Sequence, residues 1–205
     1  MFALVESGTI TQFPKGNKGI TIGDNQYPRT IYSLWTEAER NAIGIYTVEI
    51  DETNRKNEEF YTNTNITYAF GSGKVTGSYG TATAKRLNDE DAVDENGDKL
   101  KDADGNQIIN YGLKTQYKNK FNTEAAGLLE KTDWYVIKAA DVGSYSVPSN
   151  ITTYRAAVRT KVNAMETSID NCSDVAALIT LLTYETDSDG KITTRPLGEF
   201  PDEVV

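Results

Sequence analysis

Apolar residues change their spacing part-way along this chain, from every second position in the short runs before residue 112 to every third or fourth from about Lys114 onward. A period of two lines one face of a strand, and a period near 3.6 lines one stripe of a helix. An α+β fold is therefore expected, with strands first and helices after them. Phe2-Ala3-Leu4-Val5-Glu6 and Thr9-Ile10-Thr11-Gln12-Phe13 flank Ser7-Gly8, which predicts a hairpin that Pro14 ends. Residues 15–19 read as a loop and Tyr27-Pro28 as a break. Residues 33–40 predict a short helix in which Thr36 and Glu39 have capping-box spacing. Gly44 stops it, and residues 45–50 alternate as a strand.

Residues 51–112 are polar and rich in turns. Residues 59–69 alternate aromatic and apolar side chains with Asn and Thr, the pattern of exposed strands, and glycines 71, 73, 77 and 80 mark turns or bulges. The acidic tract over 87–106 contains Asn96-Gly97 and Asp104-Gly105, and Asp189-Gly190 repeats the device later. Each predicts a hairpin with both central residues at positive φ. Farther on, Tyr117, Phe121, Ala125, Leu128 and Leu129 form one helical stripe. Lys131-Thr132-Asp133 breaks it, and Trp134-Tyr135-Val136-Ile137 supplies its last turns or a second short helix. Val147-Pro148-Ser149-Asn150 reads as a loop with a cap. A stripe of Ile151, Tyr154, Val158, Val162, Met165 and Ile169 follows, and Ser173 is placed to cap a third helix carrying Val175, Leu178, Ile179 and Leu182. The expected organisation is a small β-rich domain over 1–50, a turn-rich β-hairpin region with the acidic tract over 51–112, an antiparallel helical hairpin with a third short helix over 113–185, and a tail over 186–205.

The side chains that most enzymes rely on are missing. There is no histidine, which removes the commonest general base and metal ligand. The single cysteine, Cys172, excludes an intrachain disulfide and a Cys/His zinc site, and reads as a small buried residue. Gly71-Ser72-Gly73-Lys74 has the wrong spacing for a phosphate loop and reads as a turn. The acidic tract fails the EF-hand pattern: counted from Asp102, Gln107 stands in the glycine place and Leu113 in the glutamate place. Ordinary hairpin tips explain it better than a weak surface calcium site. Nothing selects one carboxylate pair from thirty acids, so no catalytic, metal or cofactor-binding residue is assigned, no cofactor is expected and the chain is read as not an enzyme. A net charge of −9 argues against nucleic acid and against an anionic membrane as partners. The opening residues lack the basic and apolar regions of a signal peptide, no run is long enough to span a membrane, and the Asn-x-Ser/Thr matches at 65, 150 and 171 are expected to be incidental.

Two blocks resemble known proteins. Residues 2–14, with Tyr27-Pro28-Arg29 and Gly44-Ile45-Tyr46-Thr47-Val48, resemble small opening domains of tailed-bacteriophage proteins. Leu128-Leu129-Glu130-Lys131-Thr132-Asp133-Trp134-Tyr135-Val136, then Pro148 and Thr153-Tyr154-Arg155-Ala156-Ala157-Val158-Arg159, look like the "LLxxTDWY…P…YRxALR" pattern of phage tail assembly chaperones and tail-fibre-assembly proteins. The resemblance implies a non-enzymatic tail or tail-fibre assembly protein that binds a tail or fibre component, in the host cytoplasm during assembly, in the virion tail, or both. The alternative is a permanent virion part such as a baseplate, neck or fibre adaptor protein. Partners would be a phage tail or fibre protein, or a second copy of the chain.

Residue by residue, Trp134 is expected to pack on the second helix near Tyr154, with Thr132 or Asp133 capping the turn. Arg155 and Arg159, one turn apart, are placed to pair with acids of a partner or of this chain. Tyr154 suits the core or a contact. In the strand-like part, Tyr61, Tyr68, Phe70 and Tyr79 have few apolar neighbours, which makes them candidates for a contact surface. The partner-binding candidates are therefore Trp134, Tyr154, Arg155, Arg159, Tyr61, Tyr68, Phe70 and Tyr79.

Overall fold

Two Ser-Gly pairs set the topology of the first part of the chain. The computed structural model describes residues 1–204, and in it Ser7 and Ser72 have φ of 51° while Gly8 and Gly73 have 79° and 76°. Positive φ at both central residues gives the tight turn that matches strand twist. The first unit, Met1–Thr83, runs β1 (Phe2–Glu6), β2 (Thr9–Gln12), β3 (Ile20–Ile22), β4 (Asn25–Tyr27), α1 (Ile31–Leu34), α2 (Glu37–Ala42), β5 (Ile45–Asp51), β6 (Tyr61–Thr62), β7 (Thr67–Gly71) and β8 (Lys74–Ser78); β9 (Thr83–Ala84) lies at its end. Five strands form one sheet in the order β2-β1-β5-β8-β7. Only the β5–β8 pair is parallel.

Alternation sends the side chains of this sheet to two different cores. Leu4 and Ile45 face Ile20 and Ile31, with Phe2, Tyr27, Tyr32 and Trp35 around them. Ala3, Val5, Val48 and Val75 point the other way, under Ile10, Tyr46 and Phe70. The sheet curls until Cα atoms of its unpaired edges, β2 and β7, come within 8 Å. Phe13 and Tyr68 meet at that seam, ring centroids 4.7 Å apart. The capping box holds: Thr36 Oγ1 accepts from the Glu39 amide, and the Glu39 carboxylate accepts from the Thr36 amide at 2.8 Å. One helix was expected over 33–40, but extended backbone at Trp35 splits it into α1 and α2.

The second unit, Ala84–Val205, opens on a device that composition does not announce. Ala92, Leu100 and Ile108 are eight residues apart, and their backbones bond in a ring: Leu100 N–H to Ala92 O, Ile108 N–H to Leu100 O, Ala92 N–H to Ile108 O. Asp94 and Asp102 close the two hairpin tips between them. Asp94 Oδ1 accepts from the amides of Asp98 and Asn96, at 2.9 and 2.8 Å. Asp102 Oδ1 accepts from Asn106 and Asp104, at 2.8 and 3.0 Å. Only the glycines, Gly97 and Gly105, have positive φ, so these are not the turns expected from Asn-Gly and Asp-Gly. The aspartate side chain does the closing instead.

These bonds, led by the Asp98 amide at Asp94 and the Asn106 amide at Asp102, hold both carboxyls below the usual carboxylate range. A depressed folded pKa contributes stability that is complete above the unfolded value, about 3.9, and is lost as pH falls through the folded value. In an NMR titration the amides of Asn96, Asp98 and Asn106 are expected to move with midpoints below about 3.9. Midpoints above that would contradict the geometry.

The strands β10 (Glu90–Asp91) and β11 (Ile109–Asn110) frame the tips, and α3 (Leu113–Glu130), α4 (Asp133–Asp141), α5 (Ser149–Asp170) and α6 (Val175–Leu182) follow, then β12 (Glu185–Thr186) and β13 (Ile192–Thr194). Lys118 reaches Asp170, Asn122 reaches Glu166 and Arg155 reaches the Leu129 carbonyl, so α3 and α5 run antiparallel. Ala125, Tyr154, Val158 and Val162 form their shared core, with Phe121, Leu128 and Leu129 packed against it. Met165, Ile169 and Cys172 are buried, as the stripe and the cysteine's size require, and burial raises the Cys172 thiol pKa.

The fold is α+β, with a β-rich first unit and helices after it. Its divisions differ from those expected. No boundary follows residue 50, because β5 pairs with β8 and carries residues 74–78 into the first sheet. None follows residue 112, because the Leu113 and Lys114 amides bond to the Arg86 and Leu87 carbonyls and stitch α3 to the segment before it. Residues 186–205 are no separate tail, since Leu197 is buried and Phe200 packs on the helices. Asp174, not Ser173, caps α6, its carboxylate accepting from the Ala177 amide at 2.8 Å. No side chain caps α5.

Candidate protein-contact site

Four consecutive apolar residues on a helix point in four directions, 100° apart, so Trp134-Tyr135-Val136-Ile137 cannot all face one core. In α4 no residue is buried. Trp134 is 51% exposed, Val136 42%, and Ile137, at 67%, is the most exposed large apolar residue of the second unit among the described residues. A free-standing helix of this length is marginal in water. This one is anchored at its first turn.

Arg155 makes the anchor. It is 9% exposed on α5, and its Nη1 donates to the Leu129 carbonyl at 2.8 Å and to Thr132 Oγ1 at 2.7 Å, and pairs with Asp133 Oδ1 at 2.8 Å. Thr132, 4% exposed, donates in turn to the Leu129 carbonyl at 2.9 Å. One guanidinium thus ties the end of α3 to the start of α4. Lys138 covers the apolar helix from one side, its Nζ 5.5 Å from the Trp134 ring centroid and 4.4 Å from that of Tyr145. Trp134 and Ile137, three positions apart and so on one face, make a short apolar ridge with a cation at its flank, suited to burial against another protein, while Val136 lies on another side of the helix.

The eight candidates fall into different roles. Trp134 does not pack near Tyr154: it stacks on Tyr135, centroids 3.9 Å apart, because the Arg155 anchor turns α4 away from the α3–α5 core. Tyr154 is 5% exposed and belongs to that core. Arg155 is buried, and its Nη1 is committed within the chain. Arg159 is exposed and, among the described residues, donates to the Arg155 carbonyl at 3.4 Å. Thr132 gives no side-chain cap to α4, since its hydroxyl is engaged with Leu129 and Arg155.

In the first unit, Phe70 lies inside the curl of the sheet, its ring 4.8 Å from Tyr46. Tyr68 is 36% exposed and pairs with Phe13 at the seam. Tyr61 and Tyr79 are half-buried, and Arg55 stands 5.9 Å from the Tyr79 ring centroid. These four do not form one patch. Sequence reasoning missed Ile137 and Val136 as exposed groups and Thr132 and Leu129 as parts of the anchor. The unbroken apolar run was the available signal for the first two.

Among the described residues no helix is long and apolar enough to cross a membrane, and no three His, Cys, Asp or Glu side chains are grouped to hold a metal ion. Compared with family models, curated proteins and solved structures, the chain matches none of them.

Proposed function

We propose that this chain is a non-enzymatic protein of a tailed bacteriophage that assists tail or tail-fibre assembly by seating α4 on a tail or fibre component. The observation that carries the reading is α4 itself: Trp134, Val136 and Ile137 stand exposed on a helix that Arg155 fixes in place. The Leu128-Leu129…Thr132-Asp133-Trp134…Tyr154-Arg155 pattern that resembles tail assembly chaperones is the set of residues that builds and presents this ridge. Burying an exposed Trp or Ile against a partner contributes about 1.5–3 kcal/mol each, so the two are the expected anchors at the centre of a larger contact. Such a protein works in the host cytoplasm during assembly.

The test is co-purification with the tail and fibre proteins of the same genome. The unchanged chain is expected to co-elute with one of them, and a Trp134→Ala, Ile137→Asp double variant to bind it about thirty-fold more weakly. Neither side chain is buried, so the variant keeps its fold. No complex with any tail or fibre protein would sink the reading. The second reading, a permanent baseplate, neck or fibre adaptor protein, is favoured by a second half-exposed surface, the Phe13–Tyr68 pair at the sheet seam. Mass spectrometry of purified particles separates the two, because an assembly factor is absent from them.

A further inference from the structure

The segment after β13 returns to the helices. Leu197 is buried, and Phe200 and Val204 pack against Ala125, Tyr154, Val158 and Val162, on the groove between α3 and α5. Two lysines hold it: Lys161 Nζ donates to the Leu197 carbonyl at 2.8 Å, and Lys131 pairs with Glu203. A solvent-open cleft of about 400 Å³ runs beside the segment, lined by Phe121, Glu124, Leu128, Met165 and Tyr184 and by residues 198–203. The Tyr154 hydroxyl is sealed from solvent with no hydrogen-bond partner among the described residues. Burial, ahead of the nearby Glu203 carboxylate, raises its pKa. An unpaired buried hydroxyl costs about 1–3 kcal/mol. The segment therefore covers the groove without satisfying Tyr154, and a segment that accepts from that hydroxyl binds there better.

We propose that the α3–α5 groove is a second docking site, closed in cis by residues 197–204, and that it accepts from a partner protein an extended acidic segment with an aromatic residue three positions before a carboxylate. Phe200 and Glu203 display that pattern on the groove now. The incoming aromatic ring replaces Phe200, its carboxylate meets Lys131, and an oxygen of the incoming chain accepts from Tyr154. Lys131, which meets Glu203 now, selects the carboxylate, while Lys161 holds a backbone carbonyl that any extended segment supplies. The site is distinct from the α4 ridge and does not rest on the phage reading.

A fluorescent peptide of the sequence Arg-Pro-Leu-Gly-Glu-Phe-Pro-Asp-Glu-Val, copied from residues 195–204, tests this in trans by anisotropy against three full-length forms. These are the unchanged chain, a Phe200→Ala, Glu203→Gln variant, and that variant with Lys131→Glu added. The double variant is expected to bind the peptide about ten-fold more tightly than the unchanged chain, because its own segment competes less. Lys131→Glu is expected to remove that gain. Glu203→Gln alone, at a half-exposed position that leaves the apolar packing intact, gives a smaller gain in the same direction. Equal binding by unchanged and variant chains overturns the proposal, and so does a gain that survives Lys131→Glu. Exchange of these segments between two copies of the unchanged chain, detected as a dimer by sedimentation, assigns the groove to a second copy and overturns the partner reading.

Discussion

Replacing Arg155 by alanine is expected to lower the unfolding free energy of the second unit by about 3 kcal/mol, measured as a fall in the urea midpoint. The guanidinium serves three acceptors at once, and two of them, Thr132 Oγ1 and the Leu129 carbonyl, lie where water has little access. Removing one partner of a buried charged pair costs about 3–5 kcal/mol. The lower end applies here because the Asp133 side chain is half exposed and can rehydrate. Loss of the anchor also frees α4, so the variant is expected to lose partner binding even in conditions where α3 and α5 remain folded. Arg159, one turn on and exposed, provides the contrast: Arg159→Ala is expected to change stability by less than about 0.5 kcal/mol. Equal costs at the two arginines would refute the anchor.

Gly112→Ala is expected to be nearly as damaging, for a reason of space alone. Its φ of −77° suits any residue. A Cβ there would stand 2.4 Å from the backbone carbonyl atoms of Asn88 and 2.6 Å from the Leu87 oxygen. Neither can rotate aside as a side chain tip can. Relief requires the 86–89 segment to move, which breaks the Gly112 amide bond to Asp89 Oδ1 and the Leu113 and Lys114 bonds to Arg86 and Leu87. Overpacking of this kind costs about 3 kcal/mol. Gly127, inside α3 with nothing within 4 Å of its Cβ position, should respond in the opposite sense, with alanine stabilising by about 0.5–1 kcal/mol. Thermal unfolding of the two variants reads both signs.

The periodicity that divides the chain was legible because burial on one face forces it. The stripes Phe121-Ala125-Leu128 and Tyr154-Val158-Val162 meet as the spacing requires. The Ser7-Gly8 turn and the Thr36 capping box were legible for a local reason, since both are settled by residues within four positions. What sequence reasoning lost was long-range. The parallel pairing of β5 with β8 joins residues as far apart as Val48 and Val75 and leaves no mark in either segment. The stitch of α3 to residues 86–89 uses backbone groups, which composition cannot show. The eight-residue spacing of Ala92, Leu100 and Ile108 was in plain view, but it gains meaning only when the backbone closes into a ring.

At the candidate site the residues take roles other than those expected. Asp133 and Arg155 pair, while Trp134 stands exposed and Tyr154 lies in the core. Arg155, expected to pair with an acid of a partner or of this chain, pairs with Asp133 and is buried because a carbonyl, a hydroxyl and that carboxylate converge on it. Trp134, expected inside, is exposed because the anchored first turn of α4 aims it away from the core.

Hydrogen exchange with and without a tail or fibre partner tests the central claim most directly. Alone, α4 is a nine-residue helix with no buried residue, so its amides are expected to exchange far faster than those of α5. In complex the account predicts slowed exchange concentrated over residues 134–141. Unchanged exchange there, with protection confined to the β2 and β7 edges of the sheet, would contradict it.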